Sequence, residues 1–341
     1  MARKYTKYPL VEAAIQRSPL PRLWTVTIVA GVLLLLLILM AYFDGILSKL
    51  FDWSELRYVL FFIFFITYVL AVYPFMMRSR EQAVLAFGPL LSLKDDASNK
   101  IVADVTKPNR PREWIIFIVT IAVFIGGFIQ PWTLDWTSGY FWLTVYFVIT
   151  VTIVYGLLGW LIYDTLLGIV RISRLSRQDL KLDILDTEML VPVARWSLGI
   201  SLVFVGLITL STIAMWEIML DWRTITGFVI TICITLVIFF LSMWGAHRAM
   251  SEVKKNKLAT IKRHMSAISS EVDERMALDN FSGTQELSSN MAVLVNYQRL
   301  VQEAPTWPFN AGIVRRLLVS VLTPGLVYLL KILSQAGIQF G

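Results

Sequence analysis

The sequence has few charged residues, and its longest apolar runs contain none. Only 16% of the 341 residues are Asp, Glu, Lys or Arg, against about 25% in soluble globular domains, and the mean hydropathy is +0.66. Six runs are about as long as the 20 residues that cross a bilayer and contain no Asp, Glu, Lys, Arg or His: 24–43, 58–77, 114–134, 139–163, 197–216 and 224–246. This pattern excludes an ordinary soluble domain and predicts a polytopic membrane protein.

Cysteine and histidine are nearly absent, which removes most metal and redox chemistry. The single cysteine, Cys233, lies inside the last predicted span, so no disulfide or Cys-based metal site can form within the chain. The two histidines, His247 and His264, have no metal-ligand partner three or four residues away. The phosphate-binding signature GxxxxGK[ST] is also absent. We therefore expect no enzyme activity and no cofactor or metal.

The predicted spans also lack the charges that ion-coupled transporters carry at membrane depth. The nearest candidate is Asp164, which directly follows the fourth predicted span. We expect its carboxylate to lie at the level of the lipid headgroups and to be hydrated. This pattern counts against a proton- or sodium-coupled transporter.

Lysine and arginine are distributed very unevenly between the two sides of the predicted spans. If the N-terminus is inside, the inner segments hold 28 of the 31 basic residues. Because basic residues near spans stay on the cytoplasmic side, we predict cytoplasmic N- and C-termini in the plasma (inner) membrane. A basic inner surface suits anionic lipids. Nucleic acid is not an expected partner, because the basic stretches lack a binding fold or stacking aromatics.

A polar segment after the sixth span, 247–304, has the pattern of two helices. Apolar residues recur every three or four positions over 247–279 and again over 284–303, separated by a Gly-containing break. We predict a cytoplasmic helical hairpin; the alternative is that the first helix pairs with copies of itself. The basic half of this segment carries the candidate contacts to anionic lipid, which are Arg248, Lys254, Lys255, Lys257, Lys262 and Arg263.

The C-terminal segment 305–341 predicts an amphipathic helix rather than another span. A proline-rich turn precedes a helical pattern over 312–333, which Pro324 and Gly325 interrupt. The apolar run from Leu317 to Leu330 is short for a span and has basic residues at both ends. We expect an interfacial or re-entrant helix, and a seventh span is the alternative.

One stripe of hydroxyl side chains runs along the sixth predicted span. Thr224, Thr231, Thr235 and Ser242 fall within about 20° of one line at 100° per residue. Such a stripe favours either a close helix–helix seam or the wall of a water-filled pore.

These patterns together predict an all-α fold. Residues 1–23 form a cytoplasmic segment, 24–246 a domain of six transmembrane helices arranged as three hairpins, and the remainder the helical hairpin and C-terminal helix. One functional hypothesis is a self-associating, homo-oligomeric channel or pore lined by the sixth span. The other is a membrane-anchored signalling or scaffold protein whose cytoplasmic hairpin recruits a soluble partner.

Overall fold

Every ordered element of the described chain is a helix. The computed structural model describes residues 20–51, 53–88, 110–128, 140–176, 190–214, 222–277 and 283–307, with parts of 312–327, and no strand occurs among them. The helices are α1 (Arg22–Phe43), α2 (Leu47–Leu50), α3 (Trp53–Leu85), α4 (Arg110–Phe128), α5 (Phe141–Leu175), α6 (Val191–Ala214), α7 (Trp222–Ala277) and α8 (Thr284–Glu303).

Five of these helices are long and apolar enough to cross a membrane: α1, α3, α5, α6 and α7. The fold is therefore compatible with an integral membrane protein, as the composition predicts. The third predicted span, 114–134, falls on α4, which is described only as far as Phe128. The rest of that span lies outside the described residues, as do residues 1–19 of the predicted N-terminal segment.

Two helices run beyond the apolar windows that predict them. Helix α3 continues through the polar stretch after Met77 to Leu85, and α5 continues beyond Tyr163 to Leu175. Charged residues that the apolar windows leave outside the membrane, Arg80 and Asp164, therefore lie within these two helices. A window of apolar residues finds the centre of a span but not its ends, because polar residues can remain helical when neighbouring helices cover them.

Helix α3 lies at the centre of the packing and contacts α1, α5 and α6. Its buried aromatic residues, Phe61, Phe62 and Phe65, belong to the main core together with Trp160, Trp196 and Phe204 of the neighbouring helices. Elsewhere the helices meet through glycine. A Cβ added at Gly156 of α5 would lie 2.6 Å from the ring of Phe117 in α4, so a larger residue there would have to displace this ring.

Helix α1 is attached to the bundle by a polar contact at each end. At one end the Asp44 carboxylate accepts hydrogen bonds from the backbone N–H groups of Trp142 (3.1 Å) and Leu143 (2.7 Å), the first turn of α5. The residue that starts α5, Tyr140, supplies no side-chain cap of its own. Asp44 therefore caps a helix from which it is about a hundred residues distant in sequence.

The other end of α1 contacts a break in the hydrogen bonding of α3. Pro74 lies inside α3, and because proline has no N–H, the carbonyl of Leu70 loses its helical partner. Arg22 donates a hydrogen bond to that carbonyl oxygen at 3.1 Å. The first residue of α1 thus satisfies a backbone group that the proline leaves free.

Beyond the apolar part of the bundle, α7 continues as a polar helix against which α8 folds back. Val301 and Ala304 pack on Ile261, and Leu294 and Tyr297 join the same apolar cluster. The turn between the two helices ends at Gly283, whose φ of +79° favours glycine. We call α7 from His247 to Ala277, together with α8, the arm. The described parts of 312–327 are helical, and their larger apolar side chains are exposed.

We predict that Asp44→Ala will destabilise the protein through loss of the α5 cap. Substituting a capping residue by Ala typically lowers the free energy of unfolding by about 1 kcal/mol. Asp44→Asn keeps an acceptor oxygen and should lose less. Thermal unfolding in detergent measures both variants. Equal stability of Asp44→Ala and wild type would contradict the role of Asp44 as a cap.

Candidate functional site

The most unusual polar feature of the bundle is a ladder of side chains between α3 and α5. Trp160, Asp164 and Gly168 are four residues apart on α5, so they lie along one face of that helix. Tyr73 and Arg80 are seven residues apart on α3 and face them. The rings of Tyr73 and Trp160 lie 4.6 Å apart, and a Cβ added at Gly168 would lie 3.2 Å from Cδ of Arg80.

An ion pair forms the centre of this ladder. Nη1 of Arg80 donates to both carboxylate oxygens of Asp164, at 3.0 and 3.1 Å, and the Tyr73 hydroxyl donates to Oδ2 at 3.3 Å. Arg80 and Asp164 are each 6% exposed. The expectation that Asp164 is hydrated is therefore wrong. Its carboxylate is removed from water because α3 remains helical long enough to bring Arg80 against it.

Two polar atoms beside the ion pair have no hydrogen-bond partner within the described chain. They are Nε1 of Trp160 and Oγ1 of Thr165, and both residues are almost fully buried. Thr165 is unusual in this respect, because other threonines in the helices, such as Thr120 and Thr212, donate to the carbonyl four residues back. Buried groups of this kind are rare and call for an explanation.

The predicted hydroxyl stripe of α7 is partly buried within one chain, and Ser242 contacts α6. Thr235 is fully buried and Ser242 nearly so. The Ser242 hydroxyl bonds to that of Ser197 in α6 and donates to the carbonyl of Phe239. Thr231 is half-buried, and the Thr224 side chain lies outside what the structure describes.

The face of α7 that the bundle leaves exposed is apolar. It includes Val229, Val237 and Trp244. Because the hydroxyls of Thr235 and Ser242 are used inside one chain, these contacts favour the seam over the pore wall. Among the described side chains in the apolar part of α7, the exposed side carries Thr226 but no stripe of hydroxyls.

The predicted lipid contacts of the arm fall into two groups. Nζ of Lys254 donates to the carbonyls of Gln302 (2.7 Å) and Ala304 (2.8 Å) at the end of α8, where a positive charge suits the helix dipole. Nζ of Lys257 lies 5.9 Å from the centre of the Tyr297 ring. The remaining four, Arg248, Lys255, Lys262 and Arg263, are exposed.

Sequence reasoning missed the ladder, although two signals pointed to it. A proline in a predicted span leaves a carbonyl free, and Tyr73, Pro74 and Arg80 follow one another within two turns. The four-residue spacing of Trp160, Asp164 and Gly168 is also visible. What the sequence does not reveal is that these two faces meet. No protein-family model matches the chain, and no curated protein or solved structure is significantly similar to it.

We predict that removing one member of the ion pair is far more damaging than removing both. Asp164→Leu leaves Arg80 as an uncompensated buried charge, which typically lowers the free energy of unfolding by about 3–5 kcal/mol. The double variant Arg80→Met and Asp164→Leu replaces both charges by apolar side chains and should recover most of that loss. Unfolding in mixed micelles measures this cycle. A double variant as unstable as the sum of the single variants would contradict a direct pair.

We predict that Thr235 tolerates loss of its hydroxyl but not an increase in size. Thr235→Val should change stability little, because the Thr235 hydroxyl donates to the carbonyl of Thr231 one turn back in α7 itself. Thr235→Leu should separate α6 from α7 and lower the melting temperature markedly. The matched controls are Cys233→Val and Cys233→Leu, because Cys233 is exposed on the same helix. Equal melting temperatures for the two Thr235 variants would contradict the seam.

Proposed function

We propose that the chain is a membrane-anchored scaffold or signalling protein whose arm recruits a soluble partner. The observation that carries this proposal is the continuity of α7, which is one helix of 56 residues from Trp222 to Ala277. At 1.5 Å per residue it is about 84 Å long, far more than the bilayer requires. Its first half packs in the bundle and its second half forms the arm.

The proposed orientation has the arm in the cytoplasm. Exposed arginines occur on α3, α4, α5, α6 and α7 at the end of the bundle where the arm begins, namely Arg78, Arg112, Arg174, Arg195 and Arg248. Basic residues at one end of a bundle favour the cytoplasmic side. In this arrangement α4 is the third of six spans, the helices form three hairpins and both termini are cytoplasmic, with the plasma (inner) membrane as the proposed location.

We propose contact with anionic lipid only for the base of the arm, which is the part of α7 next to the bundle. Lys262 is sixteen residues beyond Ala246, which corresponds to about 24 Å along a straight helix. A surface potential decays over a Debye length of about 8 Å at physiological salt. Arg248, two residues beyond Ala246, is therefore near enough to the headgroups to contribute if α7 stands upright, and Lys255, about 14 Å along the helix, contributes less. Lys262 and Arg263 face solvent and are available to a partner.

The tip of the arm offers a groove to such a partner. A cavity of about 700 Å³ lies between α7 and α8 and is lined by apolar and small polar side chains, including Val272, Met276, Met291 and Val295. Met276 and Val295 are at least half exposed. An amphipathic helix can place its apolar face in a groove of this kind. We call it the arm groove.

A homo-oligomeric pore is the second candidate function. It would require the exposed apolar face of α7 to meet other subunits, since Thr235 is buried with its hydroxyl bonded within α7 and Ser242 bonds to Ser197 of α6. The buried hydroxyls therefore support the scaffold more than the pore. Self-association through the apolar face remains compatible with both.

We predict that a photo-crosslinking residue at Met276 or Val295 will capture a soluble protein in cells. The physical reason is that both side chains line the arm groove and are accessible to a partner helix. The matched control is the same residue at Lys255, which is exposed on the arm outside that groove. The measurement is the mass of any adduct after irradiation, and mass spectrometry then identifies the captured protein.

The outcome distinguishes the two functions. A discrete adduct from the arm groove that is absent from the Lys255 control would support the scaffold. No adduct from either groove position would contradict it. An adduct at twice the mass of the chain, together with single-channel conductance of the wild type in planar bilayers, would favour the pore instead.

A further inference from the structure

Helix α3 consists of two parts that are held to α5 in different ways. Before Pro74 the contact is aromatic: the rings of Phe62 and Phe147 lie 5.2 Å apart, edge to face. From Tyr73 onward polar contacts to α5 join the apolar ones: the Tyr73 hydroxyl bonds Asp164 while its ring lies against Trp160, and Arg80 pairs with Asp164 and passes over Gly168. Pro74 lies at the start of the part of α3 that carries the ion pair.

The same proline supplies a hinge. It removes one backbone hydrogen bond from α3, and the freed carbonyl of Leu70 is taken by the Arg22 guanidinium of α1 rather than by α3 itself. A helix bends most easily where its hydrogen bonding is interrupted in this way. The part of α3 beyond Pro74 can therefore change direction while the part before it stays packed.

While α3 lies against α5, hydrogen-bond donors beside the ion pair have no partner within the described chain. Both bonds that Arg80 gives the Asp164 carboxylate come from one nitrogen, Nη1, while Nε1 of Trp160 and Oγ1 of Thr165 have no partner among the described residues. Separation of α3 from α5 would admit water to these atoms and hydrate the two charges. The unpartnered donors therefore favour separation of α3 from α5, whereas the ion pair holds the two helices together.

We propose that the part of α3 beyond Pro74 is a gate, hinged at Pro74 and latched to α5 by Tyr73, Arg80 and Asp164. Beyond the hinge α3 keeps its contact with α6, where Phe75 packs on Gly199, so opening separates α3 from α5. The latch is also connected to the arm. Ser173 and Ser176 of α5 lie against Gly245, one residue before the apolar part of α7 ends. This device does not depend on which partner the arm binds.

Two pairs of spin labels in the full-length protein test the gate, after Cys233 has been replaced by Ala. The inner pair is Gln82→Cys with Val170→Cys, and the outer pair is Phe64→Cys with Ile149→Cys; all four positions are exposed on α3 or α5. In lipid nanodiscs, Asp164→Asn should lengthen or broaden the inner distance distribution and leave the outer one unchanged. The charge swap Arg80→Asp with Asp164→Arg should restore the inner distribution.

The location of the hinge has its own control. Pro74→Ala restores the N–H that bonds the carbonyl of Leu70, so adding it to Asp164→Asn should return the inner distribution towards that of the wild type. An inner distribution that Asp164→Asn leaves unchanged would overturn the latch. Changes of equal size in both label pairs would show general loosening rather than a hinge and would likewise overturn the proposal.

Discussion

The burial of two opposite charges between α3 and α5 is the interaction on which the rest of the bundle depends. Removing a charge from water costs free energy. A buried ion pair is tolerated only if its geometry is good and its remaining donors and acceptors are hydrogen-bonded. Arg80 and Asp164 meet at 3.0 Å, and Tyr73 supplies a further hydrogen bond. Since α1 and α6 pack on α3, α4 packs on α5 and α7 packs on both α5 and α6, the register between α3 and α5 affects the placement of all the others.

The same requirement governs the other polar contacts of the bundle. In hydrocarbon every backbone group needs a partner within the protein, and here side chains of other helices supply several. Arg22 bonds the carbonyl that Pro74 leaves free, and Asp44 bonds the free N–H groups at the start of α5. The Tyr146 hydroxyl donates to the carbonyl of Leu33 in the same manner. These contacts explain how α1 is fixed although most of its surface is exposed.

Local features were predictable from the sequence, and contacts between distant segments were not. Helix α8 spans the predicted 284–303, and α7 continues as one helix beyond its apolar stretch, because apolar periodicity and a glycine break are local signals. The sequence predicts a hydrated carboxylate at Asp164 and no cap at Asp44, because the partners of both are distant in sequence. Their partners lie 84 and 98 residues away or more. A six-span count rests on α4, whose last predicted residues lie outside the described chain.

The central claim is that Arg80 and Asp164 form a direct pair inside the folded bundle, and solid-state NMR in lipid bilayers tests it most directly. Dipolar recoupling between ¹⁵N of the arginine guanidinium and ¹³C of the aspartate carboxylate reports whether these groups are hydrogen-bonded. The account predicts strong dephasing of one buried carboxylate signal that disappears in Asp164→Asn. A spectrum in which the Asp164 carboxylate shows no dephasing and exchanges with water would contradict it.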